Sequence, residues 1–155
     1  MRALTVQQPW AWAIFNGKRI ENRTQLWRYR GPLAIHAGQR LSDRGMGDER
    51  IHRAVRHWQR GVVAHGGATP LLRDALEYGV VLGVVDLVDC HPDAGCCAPW
   101  GEQAYVEHGG RERRRITHLV LERPRLLPEP IPCKGLLGLW TPPADITAQL
   151  EELTR

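Results

Sequence analysis

Residues 80 to 88, Val-Val-Leu-Gly-Val-Val-Asp-Leu-Val, form an almost unbroken apolar run rich in β-branched side chains. A run of this kind predicts a strand covered on both faces, because a strand wet on one side alternates polar with apolar residues. Ile116 to Leu127 predicts a second long strand. Shorter ones are predicted at Arg2 to Gln7, Arg19 to Thr24, Leu33 to Ala37 and Leu136 to Trp140. These five or six strands come at irregular intervals with helices between them and no βαβ regularity. The expected class is α+β, a closed or nearly closed mixed β-barrel rather than a doubly wound parallel sheet.

Helical signals fall between the strands. Pro9 suits the first turn of a short helix ending at Phe15, and Asn16-Gly17 stops it. Leu41 to Arg60 reads as an amphipathic helix with Ile51, Val55 and Trp58 on one stripe. Gly61 to Thr69 reads as a turn-like segment and Pro70 to Leu76 as a further short helix, making a helical insert near 41–76. Asp89 to Gly110 has no period and reads as a long irregular excursion; Pro128 to Pro132 is dense in proline. Ala144 to Leu153 closes the chain as an amphipathic helix. With 155 residues and no internal repeat, a single domain spanning 1–155 is expected.

Composition narrows the function classes. Hydrophobic residues at 43% and charged residues at 25% describe a chain able to pack a core. No stretch reaches the roughly 18 apolar residues of a membrane helix, and the first residues lack the apolar run of a leader, so no membrane partner and a cytoplasmic location are expected. The four cysteines are then expected as thiols. The net charge is +4, carried by 19 arginines and only two lysines, Lys18 and Lys134. A modest positive field suits a polyanion.

Unusual residues are densest in Gln7-Gln8-Pro9-Trp10-Ala11 and Asn16-Gly17-Lys18-Arg19-Ile20-Glu21-Asn22-Arg23-Thr24. On a strand, Glu21 and Arg23 share one face about 6 to 7 Å apart, with Ile20 and Asn22 on the other. Lys18, in the preceding turn, can fold back toward them. Lysine and arginine offer donors to phosphate, and a glutamate can accept from a base or ribose edge or carry a proton. The same residues can also make a mere surface ion-pair ladder worth about 0–1 kcal/mol.

The segment resembles the ASCH signature Gly-x-Lys-x-x-Glu-x-Arg, matched by Lys18, Glu21 and Arg23 and departed from at Asn16. Similarity extends to Gln8-Pro9-Trp10-Ala11, Tyr29-Arg30-Gly31, Gly83 to Cys90 and Lys134-Gly135 before Trp140. It is greatest to the ASCH domain of the activating signal cointegrator proteins, and it omits the helical insert. Both lysines fall in matching segments. The resemblance implies a PUA-like barrel with a basic cleft that holds RNA or single-stranded or duplex DNA, or a nucleoside derived from them, with no cofactor. Lys18, Glu21 and Arg23 would line that cleft. Trp10 and Trp27 are the candidates for stacking a base, Trp27 being the one expected to be exposed. Some family members are instead ribonucleases or hydrolyse the amide of N4-acetylcytidine. The latter carry a lysine at the position of Lys18 and a threonine nucleophile where this chain has Glu21. A hydrolase is therefore the alternative, with Lys18 and Glu21 as its catalytic residues. Strand parity puts Thr24 on the face opposite Glu21.

Several other residues warrant attention. His36 can point into the cleft and titrate near neutral pH, and Lys134 is a further ligand-binding candidate. Cys90-His91 and Cys96-Cys97, with His108 and Cys133 further along, offer soft ligands. Their spacing fits paired zinc hairpins poorly, so ordinary thiols and no metal site are expected. Arg111, Arg113, Arg114 and Arg115 form a basic run that can meet phosphate or lie on a solvated loop. Base preference and oligomeric state are not written in the sequence.

Overall fold

The apolar run becomes the spine of the fold. The computed structural model describes residues 1–103 and 115–155 with their side chains, and residues 105–108 and 112–114 as backbone. In chain order the elements are β1 (Arg2–Gln8), α1 (Trp10–Ile14), β2 (Ile20–Arg23), β3 (Gly31–Leu41), α2 (Asp43–Met46), α3 (Glu49–Ala64), α4 (Leu72–Ala75), β4 (Val80–Pro92), β5 (Tyr105–His108), β6 (Glu112–Arg115), β7 (Thr117–Pro132), β8 (Leu139–Trp140) and α5 (Ala144–Glu152).

Six strands form one sheet in the order β2-β7-β4-β3-β1-β8, and β5 pairs with β6 separately. β1 runs parallel to β3, with Leu4 opposite Ile35, and the other pairings are antiparallel, so the sheet is mixed as expected. The long β4–β7 ladder slips register three times, between Val81 and Gly83, Val84 and Asp86, and Leu87 and Asp89. Each slip bends the strands and adds twist, which curls the sheet into a half-barrel.

Alternation along each strand feeds two apolar layers. Leu4, Val6, Leu33, Ile35, Leu87, Leu119 and Leu121 fill the inside of the curl. Ala3, Ala34, Val81, Val84 and Trp140 face outward under Ile146 and Leu150 of α5. Burying each Leu or Ile stabilises by about 1.5–3 kcal/mol, so the Val80 run is anchored from both sides, as its composition predicts. A third cluster joins Trp12 and Ala13 of α1 to Ile51 and Leu76, with Val55 and Trp58 packed alongside. The predicted stripe therefore faces α1, and Trp58 meets Trp12 edge to face at 5.5 Å.

Several element boundaries differ from expectation: β3 runs Gly31–Leu41 rather than Leu33 to Ala37, and α4 keeps only Leu72–Ala75 of the helix expected over Pro70 to Leu76. The helix predicted over 41–60 is two helices, because Gly47 ends α2 and Asp48 caps α3 by accepting from Arg50 N at 2.8 Å; α3 then runs through Gly61 to Ala64. β4 continues to Pro92 and β5 lies within 89–110, because a partner strand overrides weak local signals. β7 continues through Pro128–Pro132, where Ile131 still pairs with Val81. β8 keeps only Leu139 and Trp140, leaving Leu136 and Leu137 on an exposed loop.

Candidate functional site

Short-range contacts around α1 set the site. Gln8, fully buried, accepts from Trp12 N at 2.9 Å and donates to Glu77 O at 2.8 Å, holding the start of α1 against the chain before β4. At the other end, Asn16 Nδ2 donates to Trp12 O at 2.9 Å. Gly17 alone takes the positive φ, +103°, and Lys18 N returns to Ala13 O at 2.9 Å. The departure at Asn16 therefore costs the turn nothing, because its next residue supplies the left-handed conformation.

That turn feeds Lys18 into the interior beside β2. Lys18 Nζ donates to Glu21 Oε2, and Arg23 Nη1 lies 2.6 Å from Glu21 Oε1. Arg23 Nη2 also donates to Thr5 O of β1 at 3.0 Å. Glu21 and Arg23 thus share a face, as strand parity predicts, and Lys18 reaches the same carboxylate. The Lys18 side chain is only 2% exposed and that of Arg23 27%, so this is no surface ladder. Burial lowers the Lys18 ammonium further than Glu21 restores it, and Arg23 and Arg50 add repulsion. Burial alone would raise the Glu21 carboxyl, yet Lys18 and Arg23 hold it below the usual carboxylate range.

These side chains border a cavity of about 970 Å³, at the upper end of ligand-site volumes. Its wall also holds Trp10, Thr24, Trp27, Arg40, Arg44 and Glu102. α2 brings Arg44 up to Trp10 because Gly45 has no side chain: a Cβ there would lie 2.8 Å from Pro9 Cδ and 3.0 Å from Trp10. Trp10 has Lys18 Nζ 5.9 Å from its ring centre, and Arg44 and Arg50 each at 5.6 Å. Glu102 pairs with Arg44 and, at 3.2 Å, with Arg50, whose guanidinium also grips Asp48 at 2.8 Å. Asn22, expected on the opposite face of β2, also borders the cavity and fixes that segment: Glu102 N donates to its Oδ1 at 3.0 Å and its Nδ2 donates to Trp100 O at 2.9 Å.

The structure thus brings Lys18, Glu21, Arg23, Trp10 and Trp27 to one cavity. Trp27 is half-buried against the core rather than free, because Cys90 and the inner apolar layer lie beneath it. Thr24 lines the same cavity as Glu21, against the parity argument, because β2 ends at Arg23 and the chain bends. His36 does not line it. Its ring is buried under Trp140 at 5.8 Å with Nε2 2.8 Å from Cys133 O, and burial lowers its pKa. Lys134 is exposed on the β7–β8 connection and borders no part of the cavity, whose rim there is Leu136, Leu137 and Gly138. Arg44, Arg50, Gly45 and Glu102 were not singled out by sequence, since they come from the helical insert and the irregular loop. Arg115 donates to Asp93 O, while the side chains of His108, Arg111, Arg113 and Arg114 lie outside the described residues.

A second cluster lies at the open ends of β4 and β7. The ligating atoms of His91, Cys96, Cys97 and His118 fall within 4.8 Å of one another. Burial and the neighbouring Cys96 thiol push the Cys97 thiol up to about 11. Cys90 and Cys133 lie outside this group. His118 is the member sequence spacing missed, although a histidine inside the apolar stretch Ile116 to Leu121 is a legible signal of a buried polar role.

A family model described as ASCH domain matches residues 4–114. No curated protein sequence matches the chain.

Proposed function

Because the chain belongs to the ASCH domain family, part of the PUA-like superfamily and generally linked to RNA binding, we propose that it binds nucleic acid, with the cavity beside α1 as the docking cleft. The observation that carries this reading is the surplus charge at the cavity floor. One carboxylate, Glu21, sits between two cations, Lys18 and Arg23, in a place where water screens little. A phosphate reaches the part-exposed Arg23, while the buried Lys18 acts through its field.

The remaining wall suits a nucleotide. Trp27 offers an aromatic face for a base, a stack worth about 1–3 kcal/mol, and Arg40 and Arg44 offer further phosphate donors. Leu137, 98% exposed at the rim, adds an apolar surface that a sugar or base edge can cover. The binding test uses short single-stranded RNA and single- and double-stranded DNA at two salt concentrations. Arg23→Ala and Lys18→Met are each expected to weaken binding about 10-fold and to lower the salt slope by about one. Binding that ignores salt and both substitutions would sink the reading.

One observation favours a second reading. Lys18 is buried with a lowered pKa and Thr24 lines the same cavity, the ingredients of a lysine-activated hydroxyl. A hydrolase of ribonuclease or N4-acetylcytidine amidohydrolase type would lose turnover in Thr24→Ala while keeping substrate affinity. The ion pair between Lys18 and Glu21 argues for binding, since it occupies the amine a base must free.

A further inference from the structure

We propose that His91, Cys96, Cys97 and His118 bind one zinc ion in a closed, structural site that braces the wall of the cleft. Zinc held by thiolates at about 2.3 Å and imidazole nitrogens at about 2.0–2.1 Å makes a tetrahedron whose edges come to roughly 3.7–3.8 Å between sulfurs and roughly 3.5–3.6 Å from sulfur to nitrogen. Three edges of the cluster lie close to this: Cys96 Sγ to Cys97 Sγ is 3.5 Å, Cys97 Sγ to His91 Nε2 is 3.6 Å and Cys96 Sγ to His118 Nδ1 is 3.7 Å. A tetrahedral set of two sulfurs and two nitrogens selects zinc over the harder magnesium and calcium.

The histidine tautomers carry the argument further. His91 Nδ1 lies 2.9 Å from Pro92 O, and His118 Nε2 lies 2.9 Å from Glu102 O. A carbonyl only accepts, so each of those nitrogens bears the proton. The other nitrogen of each ring faces a cysteine sulfur, so that in the neutral imidazole its lone pair is the one offered to a metal. A backbone carbonyl orienting the far nitrogen is the usual outer support of a metal-bound imidazole. Asp93 adds a carboxylate 3.8 Å from His118 Nε2. On binding, Zn²⁺ takes the place of the two thiol protons, which leave to solvent, and the dication with two thiolates is electrically neutral. Neutrality suits His118, which is fully buried.

The ligands come from three segments: the end of β4, the loop after it and the start of β7. The loop continues into Trp100 and Glu102, which bond Asn22, Arg44 and Arg50. An ion at this point therefore fixes the segment that supplies one wall of the cleft.

Elemental analysis of the full chain, purified without chelator, tests the site. About one zinc per chain is expected, retained in Cys90→Ser and Cys133→Ser and lost in Cys96→Ser/Cys97→Ser. Chelation should lower the thermal midpoint of the wild type, and added zinc should restore it. Should the double variant fail to fold, cobalt(II) titrated into stripped wild-type protein still decides. Thiolate-to-cobalt charge transfer with tetrahedral d–d bands at one equivalent supports the site. Folded protein with neither zinc nor a cobalt spectrum overturns it.

Discussion

Glu21 and Asp86 are the same device in two places. Each carboxylate is held between two cations, Glu21 by Lys18 and Arg23, Asp86 by Arg123 and, at 2.7 Å, Arg125. Each is held below the usual carboxylate range: burial pushes both upward, and the neighbouring cations outweigh it. The surplus is one positive charge in both cases. The surroundings differ, because the Arg123 side chain is 76% exposed on the outer surface whereas Lys18 is enclosed. Arg125 and Arg23 are alike, at 24% and 27% exposed, so the contrast rests on the other cation: water and salt screen Arg123 and scarcely reach Lys18, and equal charge counts give unequal fields. Enclosure, more than the number of cations, distinguishes the cleft from a surface tie.

The largest test of that contrast removes the acids. Glu21→Gln leaves Lys18 enclosed without its counter-charge and should cost about 3–5 kcal/mol, whereas Asp86→Asn leaves Arg123 in solvent and keeps an amide oxygen for the part-buried Arg125, and should cost about 1–2 kcal/mol. Denaturant unfolding measures both, and equal losses would erase the distinction. Next in size is an alkaline effect confined to Glu21's side, since arginine does not titrate there. The Lys18 pKa is lowered in the folded chain, so the unfolded chain holds more protons between that lowered value and about 10.4. Stability relative to Lys18→Met should therefore rise with pH through that window. Below about pH 4.3 both clusters should lose stability, as each depressed carboxylate is protonated on the way down. The smallest effect is Arg123→Ala, expected to change stability by less than about 1 kcal/mol and nucleic-acid affinity within error. A loss matching that of Arg23→Ala would move the docking surface to the outer face.

Sequence alone revealed the parts governed by local rules. The Val80 run, the parity of Glu21 and Arg23 and the stripe of Ile51, Val55 and Trp58 follow from period and position, and each is found in the structure. The alternation argument failed at Thr24, where a strand end released the chain from its period. His36 and Lys134 lie away from the cavity: a histidine on a strand has two faces to choose from, and Cys133 O and Trp140 claimed the ring on one of them, while Lys134 sits on the exposed β7–β8 connection. The contributions of Arg44, Arg50 and Glu102 depend on Gly45 packing against Trp10 and on Asn22 holding a distant loop, contacts between residues 35 to 80 positions apart. No local pattern encodes such closures. The meeting of His118 with His91 arises the same way, from strand register rather than spacing, and the loop after β4 then brings Cys96 to the same ring.

Arg23 lies on an edge strand, and the carbonyl it reaches, Thr5 O, belongs to β1 four places along the sheet order. No backbone ladder joins those two strands in that order, so a guanidinium bridges the mouth of the fold like a clasp across a cuff. A guest that recruits this group competes with the clasp, which makes the width of the opening and the hold on the guest two readings of one torsional choice.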